Sequence, residues 1–188
     1  MATNKIPAKI VKNKDNNGQY RIGLIIALED LLSDPINIEK EIKQFELNYI
    51  KLIVDLKRLL GDTKSKKINN PKNYWVVGLL LNNFSTNNRF VIVNYADAIA
   101  DDLNISKTYV RFLMNFHTFF DKNKIDERIP ISHYYELIKK FRKLKKANIV
   151  DDVIRLLKEY ADNNNLPAHK EFRKILSNML KTKKTNNS

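Results

Sequence analysis

Residues 98–113 read AIADDLNISKTYVRFL, and the fold turns on whether this stretch makes a helix-turn-helix. Such a motif needs a small residue where the second helix crosses the first, a turn residue that tolerates positive φ, and buried aliphatics on both helices. Ala100 is the small residue, with Ile99 and Leu103 as the buried pair of the first helix. Four positions after Ala100 stands Asn104, one of the few non-glycine residues that readily enter the left-handed region. Ile105 then fills the turn, Ser106 can cap the second helix, and Val110 and Leu113 face inward. The opposite face offers Lys107, Thr108, Arg111 and Asn115, a set of side chains that reach phosphates and base edges in the major groove. With Ser106 they are the candidate DNA contacts. Against them stand Asp97, Asp101 and Asp102 on the first helix, which repel a phosphate backbone unless they turn away from it.

Working outward, Ile92, Tyr95 and Ala96 continue the face of Ile99 and Leu103, so the first helix is expected to run back to about Phe90. The β-branched FVIV at 90–93 also fits a strand. The helix-turn-helix is placed around 94–119. Beyond it, ISHYYELIKKFRKLKK predicts a helix over 132–146, capped by Ser132 and packed through Tyr134, Leu137, Ile138, Phe141 and Leu144. Its other residues include Lys139, Lys140, Arg142, Lys143, Lys145 and Lys146, read as a rail that grips phosphates without sequence choice. A solvated helix face has the same composition. Two more helices, built on Val153, Ile154, Leu157 and Ala161 and on Phe172, Ile175, Leu176 and Met179, are expected to pack beside the motif.

On the N-terminal side the clearest element is a helix over 35–60, with Asp34 as N-cap, Pro35 at its first position and Gly61 closing it. Ile38, Ile42, Phe45, Tyr49, Leu52, Leu56 and Leu59 step by four and three alternately, a heptad seam. Either the seam packs within its own domain, with Ile50, Ile53 and Leu60 widening the stripe, or these seven residues form a homodimer. The apolar run at 20–32 fits a short helix or a buried strand and is taken as helix. The expected fold class is therefore all-α: a multi-helix domain containing a helix-turn-helix, with a long N-terminal amphipathic helix. Its parts are a flexible basic N-terminus (1–18), a helical arm that can dimerise (19–61), the helix-turn-helix-containing domain (72–180) and a flexible tail, KTKKTNNS, at 181–188. The polar DTKSKKINNPK at 62–72 joins arm to domain.

The 188 residues carry 34 Lys and Arg against 21 Asp and Glu, a net charge of +13. That balance attracts phosphate polymers by counterion release. Because 26 of the basic residues are Lys and Asn is also frequent, an AT-rich genome accounts for part of it. Without Cys the chain has neither disulfides nor thiolate metal sites. No run reaches the roughly 18–20 apolar residues of a membrane span, and the N-terminus lacks a signal-peptide core, so a soluble, cytoplasmic protein is expected, nucleoid-associated if it binds DNA. No G-x-G-x-x-G or P-loop is present. His117, His133 and His169 have no metal-ligand spacing, and the acidic pairs Asp101–Asp102, Asp126–Glu127 and Asp151–Asp152 point to different sides of their helices. No catalytic residue, metal, cofactor or small-molecule ligand is expected.

The order Tyr74-Trp75-x-x-Gly78, a helix-turn-helix-like stretch through Phe116, and Ser132-His133-Tyr134 followed by Glu136-Leu137 resembles the N-terminal helical domain of the YhcG-like bacterial family. The resemblance covers about residues 74–140. In that family this order precedes a nuclease domain; the chain after Lys146 reads as helical and too short for one. The resemblance implies a DNA-associated helical module and does not imply catalysis here. The function expected is non-enzymatic binding of double-stranded DNA, as a transcription regulator or a partition or mobile-element accessory factor. A scaffold whose heptad helix recruits a partner protein, or an RNA-binding protein, are the alternatives.

Overall fold

A computed structural model describes residues 5–14, 20–33, 35–61 and 70–185. Two strands, β1 (Ile6–Lys14) and β2 (Tyr20–Ile26), are followed by a short helix α1 (Leu28–Ser33) and the long helix α2 (Pro35–Leu60). Then come α3 (Pro71–Thr86), β3 (Phe90–Ile92), α4 (Tyr95–Leu103), α5 (Lys107–Phe119), α6 (Ile131–Lys146), α7 (Val150–Asp162) and α8 (His169–Thr185). The sheet has the order β2-β1-β3, antiparallel between β1 and β2 and parallel between β1 and β3. The fold is thus mainly α with a small mixed sheet, and the all-α expectation is corrected.

That correction falls in three places. Ile6, Ala8 and Ile10 are buried while Pro7 and Lys9 are exposed, the period of two that a half-buried strand requires, in a segment expected to be flexible. The run at 20–32, taken as one helix, divides into β2 and α1. Residues 90–92, expected as the first turn of a helix, are β3, held to β1 from Ile6 N–H to Arg89 O and from Val93 N–H to Ala8 O, both 2.9 Å. The helix that follows begins only at Tyr95. The segment expected as a flexible tail is helical through Thr185. At α6, Pro130 rather than Ser132 occupies the cap position.

The core is continuous from sheet to last helix. α2 turns Ile38, Phe45, Tyr49, Leu52 and Leu56 into it, and Phe45 and Tyr49 pack on Phe84 of α3 with centroids 5.2 and 5.8 Å apart. Phe45 also meets Phe90 edge-on. Pairing two copies through this seam requires those rings to be unburied. Gly61 closes α2 with φ 69°; its expected N-cap, Asp34, and the 62–69 part of the connector lie outside the described residues.

Candidate nucleic-acid interface

The bend between α4 and α5 follows from its residues. Asn104 takes φ 53° and ψ 46°, the left-handed conformation, and its N–H together with that of Ile105 closes the end of α4 on Asp101 and Ala100 carbonyls. Ser106 is extended, and its Oγ accepts the Tyr109 N–H at 3.1 Å. Ala100, Ile99, Leu103, Val110 and Leu113 are all buried.

α5 is held from behind by α3. A Cβ placed on Gly78 would lie 2.1 Å from the Leu113 carbonyl oxygen, so the two helices approach at a distance only glycine allows. Trp75 Nε1 donates to the Phe120 carbonyl at 2.6 Å, and its ring lies 4.7 Å from that of His117. Asn82 donates to the Met114 carbonyl and to His117 Nδ1, both at 3.0 Å. Burial lowers the pKa of His117 below its ordinary value.

With that side covered, α5 presents Thr108, Arg111 and Asn115 to solvent along one stripe, three and four residues apart. Arg111 and Asn115 make no side-chain bond within the described residues. Lys107 does: its ammonium lies 2.6 Å from Asp97 Oδ2. Two of the three opposing aspartates are thereby engaged, because Asp102 accepts the Tyr49 hydroxyl at 2.7 Å and pairs with Lys12 at 2.7 Å. Burial first, and then Asp102, push the Tyr49 hydroxyl far above its ordinary pKa, so it stays a donor. Only Asp101 remains exposed without a carboxylate bond among the described residues.

The motif is fixed to the sheet by Asn94, a residue to which the sequence pattern assigns no role. Just before α4, it accepts the Ile10 N–H and donates to the Ile10 carbonyl, both at 2.9 Å, continuing the β1–β3 pairing with a side chain.

The six basic residues of α6 divide into two groups. Lys140, Lys143 and Lys146 line a cleft against α8, where the Lys140 ammonium donates to Ser177 Oγ at 2.7 Å and the Arg173 carbonyl at 3.2 Å. Lys139, Arg142 and Lys145 lie off that cleft and are exposed. Lys139 sits over the Tyr135 ring at 4.2 Å, and Tyr135 meets Phe112 of α5 edge-on at 4.9 Å, so Lys139 is at the α5–α6 junction. It also reaches the buried Glu136 at 3.2 Å. α8 adds Lys181 and Lys183 to the cleft; the signal for them is the continuation of the Leu176–Met179–Leu180 face into KTKK, whose composition alone reads as tail.

The motif residues 132–137 mostly serve internal joints. His133 contacts the Pro167 carbonyl at 2.9 Å and Phe172 at 5.1 Å, the Tyr134 hydroxyl accepts the Asp126 N–H at 2.9 Å, and Glu136 meets His169 at 3.1 Å. Among the described residues no cluster of His, Asp and Glu is arranged to hold a metal, and no helix is long and apolar enough to cross a membrane. No protein-family model, no curated protein and no solved structure matches this chain, so its side chains carry the functional reading.

Proposed function

We propose that the protein binds double-stranded DNA without catalysing a reaction, with α5 entering the major groove. The observation that carries this reading is the exposed stripe Thr108–Arg111–Asn115 on a helix whose start is fixed by a left-handed Asn104 and a Ser106 cap. Arg111 and Asn115 would read base edges, while Lys107 and Thr108 sit at the helix N-terminus, where phosphates are favoured. Ser106 contributes through its cap, its Oγ being already engaged. Lys139, Arg142 and Lys145 supply phosphate contacts from α6. The resemblance to a DNA-associated module points the same way, and so does the net charge of +13.

Selection of bound fragments from a random duplex pool, followed by binding with Arg111→Ala, tests it. The substitution is expected to cost roughly 1–3 kcal/mol on the selected site and to relax preference at one base position. Arg142→Ala/Lys145→Ala is expected to weaken all duplexes alike and to reduce the salt slope by about 0.9 for each phosphate that is no longer neutralised. Absence of binding to any duplex at low salt overturns the assignment.

A second reading, a protein-interaction module on α2, is favoured by one observation. Leu47, Ile50 and Val54 form an outward stripe 64%, 51% and 60% exposed, opposite the buried seam. Sedimentation of wild type and Ile50→Lys across a concentration series tests it: self-association that the lysine abolishes supports this face, and an unchanged monomer removes its use in self-pairing.

A further inference from the structure

The cleft between the C-terminal halves of α6 and α8 has a volume of about 640 Å³, within the roughly 300–1,000 Å³ of small-molecule sites. Lys140, Lys143 and Lys146 enter it from one helix, Lys181 and Lys183 from the other, and no carboxylate lines it among the described residues. The charge has two other uses to be weighed first. Lysines near a helix C-terminus offset the macrodipole, but each end carries only about half a negative charge, so two ends account for about one ammonium of the five. Solubility is served by any exposed lysine and requires no convergence. At Lys140 burial first lowers the pKa, Glu136 offsets part of this, and Arg173 and then Lys143 add to the lowering, so repulsion from another cleft lysine is the smallest of these causes. An anion beside Lys143 offsets that repulsion.

The cleft is not uniformly polar. Leu180 and Ala147 contribute apolar surface to its lining. A duplex backbone is a convex row of phosphates with no use for such surface, and Lys139, Arg142 and Lys145, outside the cleft, face such a row better. A compact ligand with an apolar body and several phosphates uses both kinds of wall.

We propose that the α6–α8 cleft is a binding site for a small polyphosphorylated ligand, a nucleoside triphosphate being the chemical class that fits. The phosphates lie among Lys143, Lys146, Lys181 and Lys183, and the base rests on Leu180 and Ala147. This site is separate from the α5 stripe and stands independently of DNA recognition there.

Isothermal titration of the full chain with ATP, ADP, AMP, adenosine and inorganic tripolyphosphate tests it. Saturable binding at one site is expected for ATP, weaker at each phosphate removed and absent for adenosine, with tripolyphosphate weaker than ATP. Lys181→Gln/Lys183→Gln, two exposed changes in the last turns of α8, are expected to weaken ATP about tenfold or more, whereas Arg111→Ala changes it by less than about twofold. No saturable ATP binding, or binding that the double substitution leaves intact, overturns the site. Tripolyphosphate binding as tight as ATP overturns the nucleoside class. A DNA oligonucleotide that binds through Lys181 and Lys183 while ATP does not would reassign the cleft to nucleic-acid backbone and overturn the small-ligand proposal.

Discussion

Replacing Gly78 by alanine isolates the contact that sets α5 in place. The new methyl would stand 2.1 Å from the Leu113 carbonyl oxygen and 2.9 Å from His117 Cβ. A carbon–oxygen contact of about 3.3 Å is normal, so α3 and α5 have to separate by about 1.2 Å. The obstacle is backbone and cannot rotate aside, which places the cost near the upper end of the 1–3 kcal/mol typical of overpacking, about 3 kcal/mol. Alanine returns about 1 kcal/mol through its helix propensity. The net expectation is a loss of about 2 kcal/mol, or a Tm lower by roughly 4–8 °C for a chain of this length. Thermal and urea unfolding followed by far-ultraviolet circular dichroism measure it, with Trp75 fluorescence reporting the same joint through its bond to Phe120. A Tm that is unchanged or raised would show the propensity gain acting alone, and the close approach of α3 and α5 would be refuted.

Asn94→Ala removes both side-chain bonds to Ile10 and is expected to cost about 1–3 kcal/mol, with faster hydrogen exchange at the Ile10 amide. Exchange that does not change there refutes the clamp. At the turn, Asn104→Ala keeps a β-carbon at φ 53° but loses the short polar side chain that lets asparagine enter this region, and is expected to lose up to about 1 kcal/mol, whereas Asn104→Gly, with no β-carbon to strain, is expected to be neutral or stabilising; equal effects in urea titrations contradict the left-handed cap. Because the pKa of His117 is lowered in the fold from 6.5, the unfolded chain takes up the proton first. Its contribution is therefore present above about pH 6.5 and is lost as pH falls from there through the lowered folded value. Urea unfolding of wild type and His117→Gln from about pH 8 to about pH 5 checks this: the variant should lose less stability over that interval, and parallel losses exclude His117.

The bend between α4 and α5 is legible in the sequence because its constraints are local. Ala100, Asn104, Ile105 and Ser106 each meet a demand set by residues within a few positions, and the structure places each as the pattern requires. β1 is not legible, for the opposite reason. Ile6, Ala8 and Ile10 alternate, but Lys9 and Lys12 between and after them give the segment the composition of a solvated arm, and the pairing partner Phe90 lies in a distant part of the chain. The fates of Asp97 and Asp102 are hidden likewise: Lys107 is close in sequence, yet Tyr49 and Lys12 reach Asp102 only after α2 and β1 have folded onto α4. The lysine cleft requires the docking of α6 on α8, which no single-helix pattern announces.

The bonds from Asn94 to Ile10 span 84 residues, and this sets an order of events during synthesis. At about 5–20 residues per second, a ribosome delivers Asn94 roughly 4–17 s after Ile10. For that interval β1 has only β2 beside it, and the edge that β3 and Asn94 later occupy stays open to any other extended chain. Slow codons between the two positions lengthen that exposure in proportion.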